Sequence, residues 1–183
     1  MTTATPHVTT AEQLLGTAGL GRCEPVRGEL IMMTPASGEH GGVVAELTGH
    51  LWSFIRPRNL GRVLGAATGF LISRDPETVR APDVAFVRAE RLPDEPIRGF
   101  FQIAPDLAVE VLSPNDRAGD VLDKVHQWLE AGCPAVWVVA PERRTVTVYE
   151  GPARIATRTA ADELTCDELL PGFRLAVAEI FAG

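Results

Sequence analysis

Two carboxylates, Asp83 and Glu110, lie within stretches that otherwise have the composition of buried β-strands. Asp83 precedes a Val-Ala-Phe-Val run, and Glu110 stands between Leu-Ala-Val and Val-Leu. A charge in such a strand costs several kcal/mol unless it is paired or binds a metal ion. A divalent cation would compensate both acids at once. With Lys124 on the following predicted helix, this set is typical of metal-dependent phosphodiesterases.

Spacing decides which of these acids can share a metal ion. Asp106 and Glu110 belong to the same predicted strand and are separated by roughly 13 Å, which is too far for one ion. A loop joins Asp83 to Glu110, so the two can lie on neighbouring strands with Cβ atoms about 5 Å apart. We therefore predict that Asp83 and Glu110 hold Mg²⁺, which Mn²⁺ can replace, and that Lys124 positions a water or stabilises the charge of the transition state.

Each of the three residues also has a structural interpretation that the sequence leaves open. Glu110 could be an acid at a strand end that is paired with an arginine such as Arg80 or Arg117. Asp83 follows a proline and could belong to a turn. Lys124 alone could be a surface lysine whose aliphatic stem covers apolar neighbours. The catalytic interpretation depends on all three residues lying where one site requires them.

Two weaker candidates stand at the start of the first long predicted helix. His40 is in phase with the apolar positions of that helix, so its ring should face the sheet and could approach the metal or a phosphate. Glu39 precedes it and is kept as an accessory residue. The alternative for His40 is a capping or core histidine.

The elements needed to position these residues follow the pattern of an α/β or α+β domain with a mixed sheet. Thr10 and Gln13 form a capping-box pattern before a short helix, and Gly28 marks a hairpin between strands at 22–26 and 29–33. Ser37 should cap a helix that runs to about Ile55. The segment 113–116 (SPND) should start a second helix that ends at Gly132. Buried and half-exposed strands then follow at 135–140 (AVWVVA) and 145–150 (TVTVYE).

Composition is that of one globular domain spanning 1–183, in which residues 1–8 are expected to be frayed. The chain has 183 residues, 45% of them apolar, and a net charge of −7, which argues against a general nucleic-acid coat protein. The three cysteines lack the spacing of a zinc site and are expected to be reduced thiols. No apolar run is long enough to span a bilayer, and no signal peptide precedes the domain, so we expect a cytoplasmic protein.

Seven motifs, taken in order, resemble the Uma-two family of inferred endonucleases within the PD-(D/E)xK nuclease superfamily. The likeness covers nearly the whole chain. The motifs are RGELIMMTP (27–35), SGEHGGVV (37–44), RAPDVAFV (80–87), APDLAVEVLSP (104–114), DKVHQWLEAGCPAVWVV (123–139), TVTVYE (145–150) and LPGF (170–173).

The resemblance implies a restriction-endonuclease-like core, a mixed sheet flanked by helices, and Mg²⁺-dependent cleavage of DNA. The chain departs from the superfamily pattern at one position. The strand motif should read Glu-x-Lys, whereas Glu110 is followed by valine and leucine. In this family the lysine is usually moved to the next helix, which matches Lys124.

Two other functions remain open from the sequence. One is a binding or regulatory module that retains a nuclease fold with weak or no catalysis. The other is a phosphodiesterase that acts on RNA or a small nucleotide. Cleavage of a duplex needs two cuts, so a two-fold homodimer is expected, with the TVTVYE strand or the N-terminal hairpin as its contact.

Overall fold

The computed structural model describes residues 10–151 and 153–182, and it builds them around one six-stranded mixed sheet. The predicted frayed segment at 1–8 lies outside the described residues. The helices are α1 (Ala11–Gly16), α2 (Gly38–Ile55) and α3 (Ala118–Glu130). The strands are β1 (Cys23–Val26), β2 (Glu29–Met32), β3 (Gly61–Gly65), β4 (Phe70–Arg74), β5 (Glu77–Arg80), β6 (Val84–Arg88), β7 (Leu107–Val111), β8 (Ala135–Ala140), β9 (Thr145–Glu150), β10 (Arg154–Thr159), β11 (Glu163–Thr165) and β12 (Arg174–Ala176).

The central sheet has the strand order β10-β9-β8-β7-β6-β3. Strands β7 and β8 are parallel, and α3 connects them, whereas the other neighbours are antiparallel. The predicted mixed sheet flanked by helices is therefore confirmed. Strand β9, which carries TVTVYE, is hydrogen-bonded on both sides. It therefore has no free edge to which a strand of a second copy could be added.

The two faces of the sheet pack against different helices. Because side chains alternate across a strand, Val84 and Phe86 of β6 point to one face, where they pack with the apolar stripe of α2. Ala85 and Val87 point to the other face, where they pack with Trp128 of α3. Both cores are close-packed, and the two strands that carry the candidate acids lie between them.

The helix starts show where local sequence signals suffice and where they do not. Thr10 and Gln13 form the expected capping box, and Ser37 accepts a hydrogen bond from the backbone N–H of His40 at the start of α2. Helix α3 instead begins at Ala118, after Arg117, and the predicted start at 113–116 is wrong. Asp116 accepts from the backbone N–H of Ser113 there and forms a turn before the helix.

The N-terminal hairpin forms as predicted and packs beside β5, a strand that the sequence did not reveal. Gly28 has φ +81°, and Arg27 before it also has a positive φ of 51°, so the tight turn takes two left-handed residues. The turn is fixed to β5, since the backbone N–H of Arg27 donates to Thr78 Oγ1 at 3.1 Å. The hairpin is thereby placed against the carboxylate-bearing end of β6.

Candidate active site

Strand pairing brings Asp83 and Glu110 to the same end of the sheet. Val84 of β6 pairs with Val109 of β7 as the last pair of an antiparallel ladder, so Asp83, which immediately precedes β6, lies beside the Glu110 end of β7. The backbone N–H of Asp83 donates to Val109 O at 2.9 Å, one residue out of the ladder register, and ties Asp83 to β7. Glu110 lies on the α3 side of β7, whereas Asp83, just outside β6, contacts His40 of α2. Both acids line one cleft, so the structure brings the two residues together, although Asp83 itself precedes the strand.

Asp83 is buried and held by contacts from three segments. Its Oδ2 accepts from the backbone N–H of Val111 at 2.8 Å and lies 3.3 Å from His40 Nε2. Its Oδ1 lies 3.9 Å from a guanidinium nitrogen of Arg22. Asp83 therefore lies in a bend immediately before β6, and it is buried there and held by other parts of the chain. Its Oδ1 is the less constrained of the two oxygens.

Glu110 is buried beside α3 and contacts two side chains of that helix. Its Oε1 accepts from Trp128 Nε1 at 2.8 Å, and its Oε2 lies 3.4 Å from Lys124 Nζ. Arg80, the alternative partner, instead binds Glu24. Burial raises the pKa of the Glu110 carboxyl; the charges of Asp83 and Glu24 act in the same direction, and Lys124 and Trp128 oppose them. The negative charge on Glu110 is thus incompletely compensated.

Lys124 reaches the site from the first half of α3 with 26% of its side chain exposed. Burial alone lowers the pKa of its ammonium, but the carboxylates of Glu110 and Glu24 outweigh burial, so the pKa is raised. Lys124 therefore carries a positive charge at neutral pH. It is also the only lysine among the 17 lysine and arginine residues of the sequence. That signal was available from the sequence and singles out this position.

A third buried acid, Glu24 of β1, was missed in the sequence. Its Oε2 accepts from an Arg80 guanidinium nitrogen at 2.8 Å, and its Oε1 accepts from the backbone N–H of Ala81 at 2.9 Å. Arg80 also donates to Gln127, one turn along α3 from Lys124. Asp83 and Glu110 were selected because each is an acid within an apolar strand. The same criterion, applied to β1, would have selected Glu24 as well.

The two accessory candidates are placed differently. His40 is buried on the inner side of α2, as its helical phase predicted, and its Nε2 lies 3.3 Å from Asp83 Oδ2. Glu39 is exposed and is not among the residues that line the cleft, so the structure does not bring it to the other candidates. Asp106, at the far end of β7, contacts Arg88 and Arg91 instead.

One cleft of about 820 Å³ is lined by most of these side chains, namely Arg22, Glu24, His40, Arg80, Asp83, Glu110, Lys124 and Gln127. The cleft lies between the N-terminal hairpin on one side and the start of α3 on the other. Its floor is formed by the acids Glu24, Asp83 and Glu110. The ends of β1, β6 and β7 therefore converge on one solvent-accessible volume.

The donor set determines which metal ion the site fits. Within residues 10–151 and 153–182, no group of three or more His, Cys, Asp or Glu side chains is arranged to hold a metal ion. A closed structural zinc site needs about four such ligands. Mg²⁺ instead uses one or two carboxylates and completes its shell with water and substrate phosphates. The carboxylates of Asp83 and Glu110 are compatible with the second arrangement.

A family model described as "Uma2: Putative restriction endonuclease" matches residues 10–178. The chain belongs to the Uma2 family. The crystal structure of a "putative nuclease belonging to DUF820" from Anabaena variabilis ATCC 29413 is similar, with a TM-score of 0.83 over 94% of this chain and 97% of that chain. At 21% sequence identity, this similarity shows a shared fold and no more. No curated protein matches the chain.

Two further observations concern the helices and the cysteines of this Uma2 chain. In the described part of the chain, no helix is both long and apolar enough to cross a membrane. Cys23, Cys133 and Cys166 are free thiols. Burial raises the pKa of Cys133 and of Cys166 to about 12, so neither is a ready nucleophile.

Proposed function

We propose that the chain is a Mg²⁺-dependent DNA endonuclease, with the whole sequence acting as one nuclease domain. The observation that carries the proposal is the pair of buried carboxylates, Asp83 and Glu110, in one cleft, with the only lysine of the sequence 3.4 Å from Glu110. Membership of the Uma2 family supports nuclease chemistry. We expect such an enzyme to act in the cytoplasm, and cleavage of both strands of a duplex would require a homodimer.

Each side chain has a distinct task in this proposal. Asp83 and Glu110 would hold the metal ion, which when bound would polarise a phosphodiester and lower the pKa of a water. Lys124, with its raised pKa, would act as a fixed positive charge beside the phosphate. His40 and the Val111 N–H orient Asp83, and the indole of Trp128 orients Glu110.

Metal binding and cleavage are tested together, with a matched control. Thermal unfolding is followed with and without Mg²⁺ or Mn²⁺, and plasmid DNA, RNA and small phosphodiesters are offered as substrates. At a metal concentration of about 100 Kd, the wild type should gain about 2.7 kcal/mol of stability. Asp83→Asn should lose both this gain and cleavage, whereas Glu39→Gln, outside the cleft, should keep both.

Two results would contradict the proposal. A metal-dependent stability gain that survives Asp83→Asn would place the metal elsewhere. Metal binding at Asp83 without cleavage of any of these substrates would favour the binding or regulatory module. Cleavage of RNA or of small phosphodiesters alone would correct the substrate while retaining the phosphodiesterase chemistry.

A further inference from the structure

The two sides of the cleft carry opposite charge. The hairpin wall, residues 22–37, presents Arg22 and Arg27 to the cleft. Arg22 also lies 3.9 Å from Asp83, and Glu24, the acid of this wall that lines the cleft, is paired with Arg80. The helix wall, residues 113–127, presents Lys124 at the floor and three acids toward the opening. These acids are Asp116, Asp120 and Asp123. Phosphates are therefore attracted to one wall and repelled by the other.

The hairpin wall also exposes large apolar side chains within the cleft. Ile31 and Met32 line it with 42% and 54% of their surfaces exposed, although residues of this size are usually buried. Apolar side chains of this kind contact base faces or insert between base steps in nucleic-acid complexes. The same wall thus offers cationic groups for phosphates and apolar groups for bases.

The hairpin wall is fixed relative to the acids. The Glu24–Arg80 ion pair joins β1 to β5 at 2.8 Å, and the Ala81 N–H binds the other oxygen of Glu24. The tip is held as well, through the Arg27 N–H bond to Thr78. The distance between this wall and Asp83 is thereby set by buried contacts, so the wall is a preformed surface.

We propose that the cleft binds DNA that is unpaired where it enters, with the phosphates along Arg22 and Arg27 and the bases against Ile31 and Met32. This inference rests on the proposed function and names its substrate class. A continuous duplex carries about one negative charge per 1.7 Å of axis, and its second strand would meet the acids of the helix wall. The volume of about 820 Å³ is that of a small-ligand pocket, which suits a single strand better than a duplex.

The test measures binding without added divalent metal, so that cleavage does not interfere. The probes are a fluorescein-labelled single-stranded DNA of about 12 nucleotides, within the usual range of about 4–16 for a single-strand site, and the same sequence as a blunt duplex. Binding is followed by fluorescence anisotropy at several salt concentrations. The single strand should bind about tenfold more tightly, because the second strand of the duplex would meet the acids of the helix wall. Neutralising the helix wall with Asp116→Asn, Asp120→Asn and Asp123→Asn should strengthen duplex binding and reduce this preference.

Two sets of variants test the hairpin wall. Met32→Asp should weaken single-strand binding about tenfold, because it replaces an apolar contact to a base with a negative charge beside the phosphates. Its control is Leu122→Asp, another exposed apolar residue that does not line the cleft, and it should have no effect. Arg22→Gln with Arg27→Gln should lower the slope of log affinity against log salt by about 1.4, the value for two lost single-strand phosphate contacts.

The outcomes separate this inference from the nuclease proposal. Equal or tighter duplex binding, or a Met32→Asp variant indistinguishable from Leu122→Asp, overturns the inference even if plasmid DNA is cleaved. The expected binding pattern without cleavage in Mg²⁺ or Mn²⁺ supports the strand-binding surface and contradicts the nuclease. Failure of both probes to bind overturns the inference.

Discussion

Strand β7 has a buried acid near each end, and the two acids have different surroundings. Asp106, immediately before the strand, is completely buried and bonds to Arg88 Nε at 2.7 Å, Arg91 at 2.9 Å and the Arg88 N–H at 2.9 Å. Glu110 has one ammonium at 3.4 Å and one indole N–H, with two other carboxylates nearby. The protein neutralises the first acid with its own arginines and leaves the second undercompensated.

This difference separates a structural acid from one available for chemistry. A carboxylate saturated by guanidinium and backbone donors has no lone pair in a useful direction, so its task is to hold the loop at residues 88–106 to the sheet. A buried carboxylate that shares a cleft with another carboxylate is repelled by its charge, and a bound cation would relieve that repulsion. Asp106 and Glu110 are both buried, so burial does not distinguish them. Their hydrogen-bond and ion-pair partners do.

The largest effect should come from replacing each of these two acids, separately, with its amide. Glu110→Gln should reduce metal-dependent cleavage about a thousandfold, while the free energy of unfolding changes by less than about 1 kcal/mol. Asp106→Asn should do the reverse, with a loss of about 2–3 kcal/mol in stability and little change in cleavage per folded molecule. Denaturant unfolding and single-turnover cleavage measure the two quantities. Equal effects of both variants on cleavage would refute the comparison.

Glu24 sharpens the comparison because it lies near Glu110 but is paired as Asp106 is. Glu24→Gln leaves the buried guanidinium of Arg80 without its counter-charge and should cost about 3 kcal/mol of stability. The double variant Glu24→Gln, Arg80→Met should recover part of that loss, which a double-mutant cycle by denaturant unfolding would show. Additive losses in the cycle would mean that the pair is not coupled.

A smaller effect is expected at His40. His40→Asn removes the imidazole 3.3 Å from Asp83 and should lower kcat about tenfold, the equivalent of one hydrogen bond to a charged group. His50→Asn is the control, since His50 lies on the same helix and faces Glu46 and Glu179 outside the cleft. A change in stability without a change in kcat would give His40 a structural task only.

The smallest effect is a pH dependence of stability in metal-free buffer. Because the folded-state pKa of Glu110 is raised above its usual 4.5, its contribution is fully present below that pH and is lost as pH rises through the folded pKa. The unfolding free energy of the wild type should therefore fall relative to Glu110→Gln as the pH rises from 4.5. Parallel curves for the two proteins would show that Glu110 is fully compensated.

The sequence predicted the parts of the site that follow from strand patterning. An acid inside an apolar strand is anomalous wherever it occurs, so Asp83 and Glu110 stood out, and the loop between them allowed them to lie on neighbouring strands. The helical phase of His40 and of Lys124 followed from the 3.6 period. The family resemblance gave the mixed sheet and its flanking helices.

What escaped prediction depended on tertiary partners. Whether an arginine pairs with Glu110, Glu24 or Asp106 is decided by packing, and the sequence placed Arg80 beside the wrong acid as an alternative. The predicted start of α3 was wrong because the Asp116 carboxylate accepts a hydrogen bond from the Ser113 N–H and closes a turn. Turns and helix N-caps use the same short polar side chains, so the sequence pattern does not separate them. Strand β5 was missed because its pairing begins only after the turn at Asp75-Pro76.

The solitary lysine of the chain gives the molecule one ε-amine, 3.4 Å from a buried carboxylate. Apart from the α-amino group, Lys124 is the only site at which an amine-selective reagent can react, and it lies in the cleft. Reductive methylation with isotope-enriched formaldehyde would consequently install one side-chain NMR probe whose chemical shift titrates with the local charge. Arrival of a cation or of a nucleic-acid strand could be followed there without engineering a label.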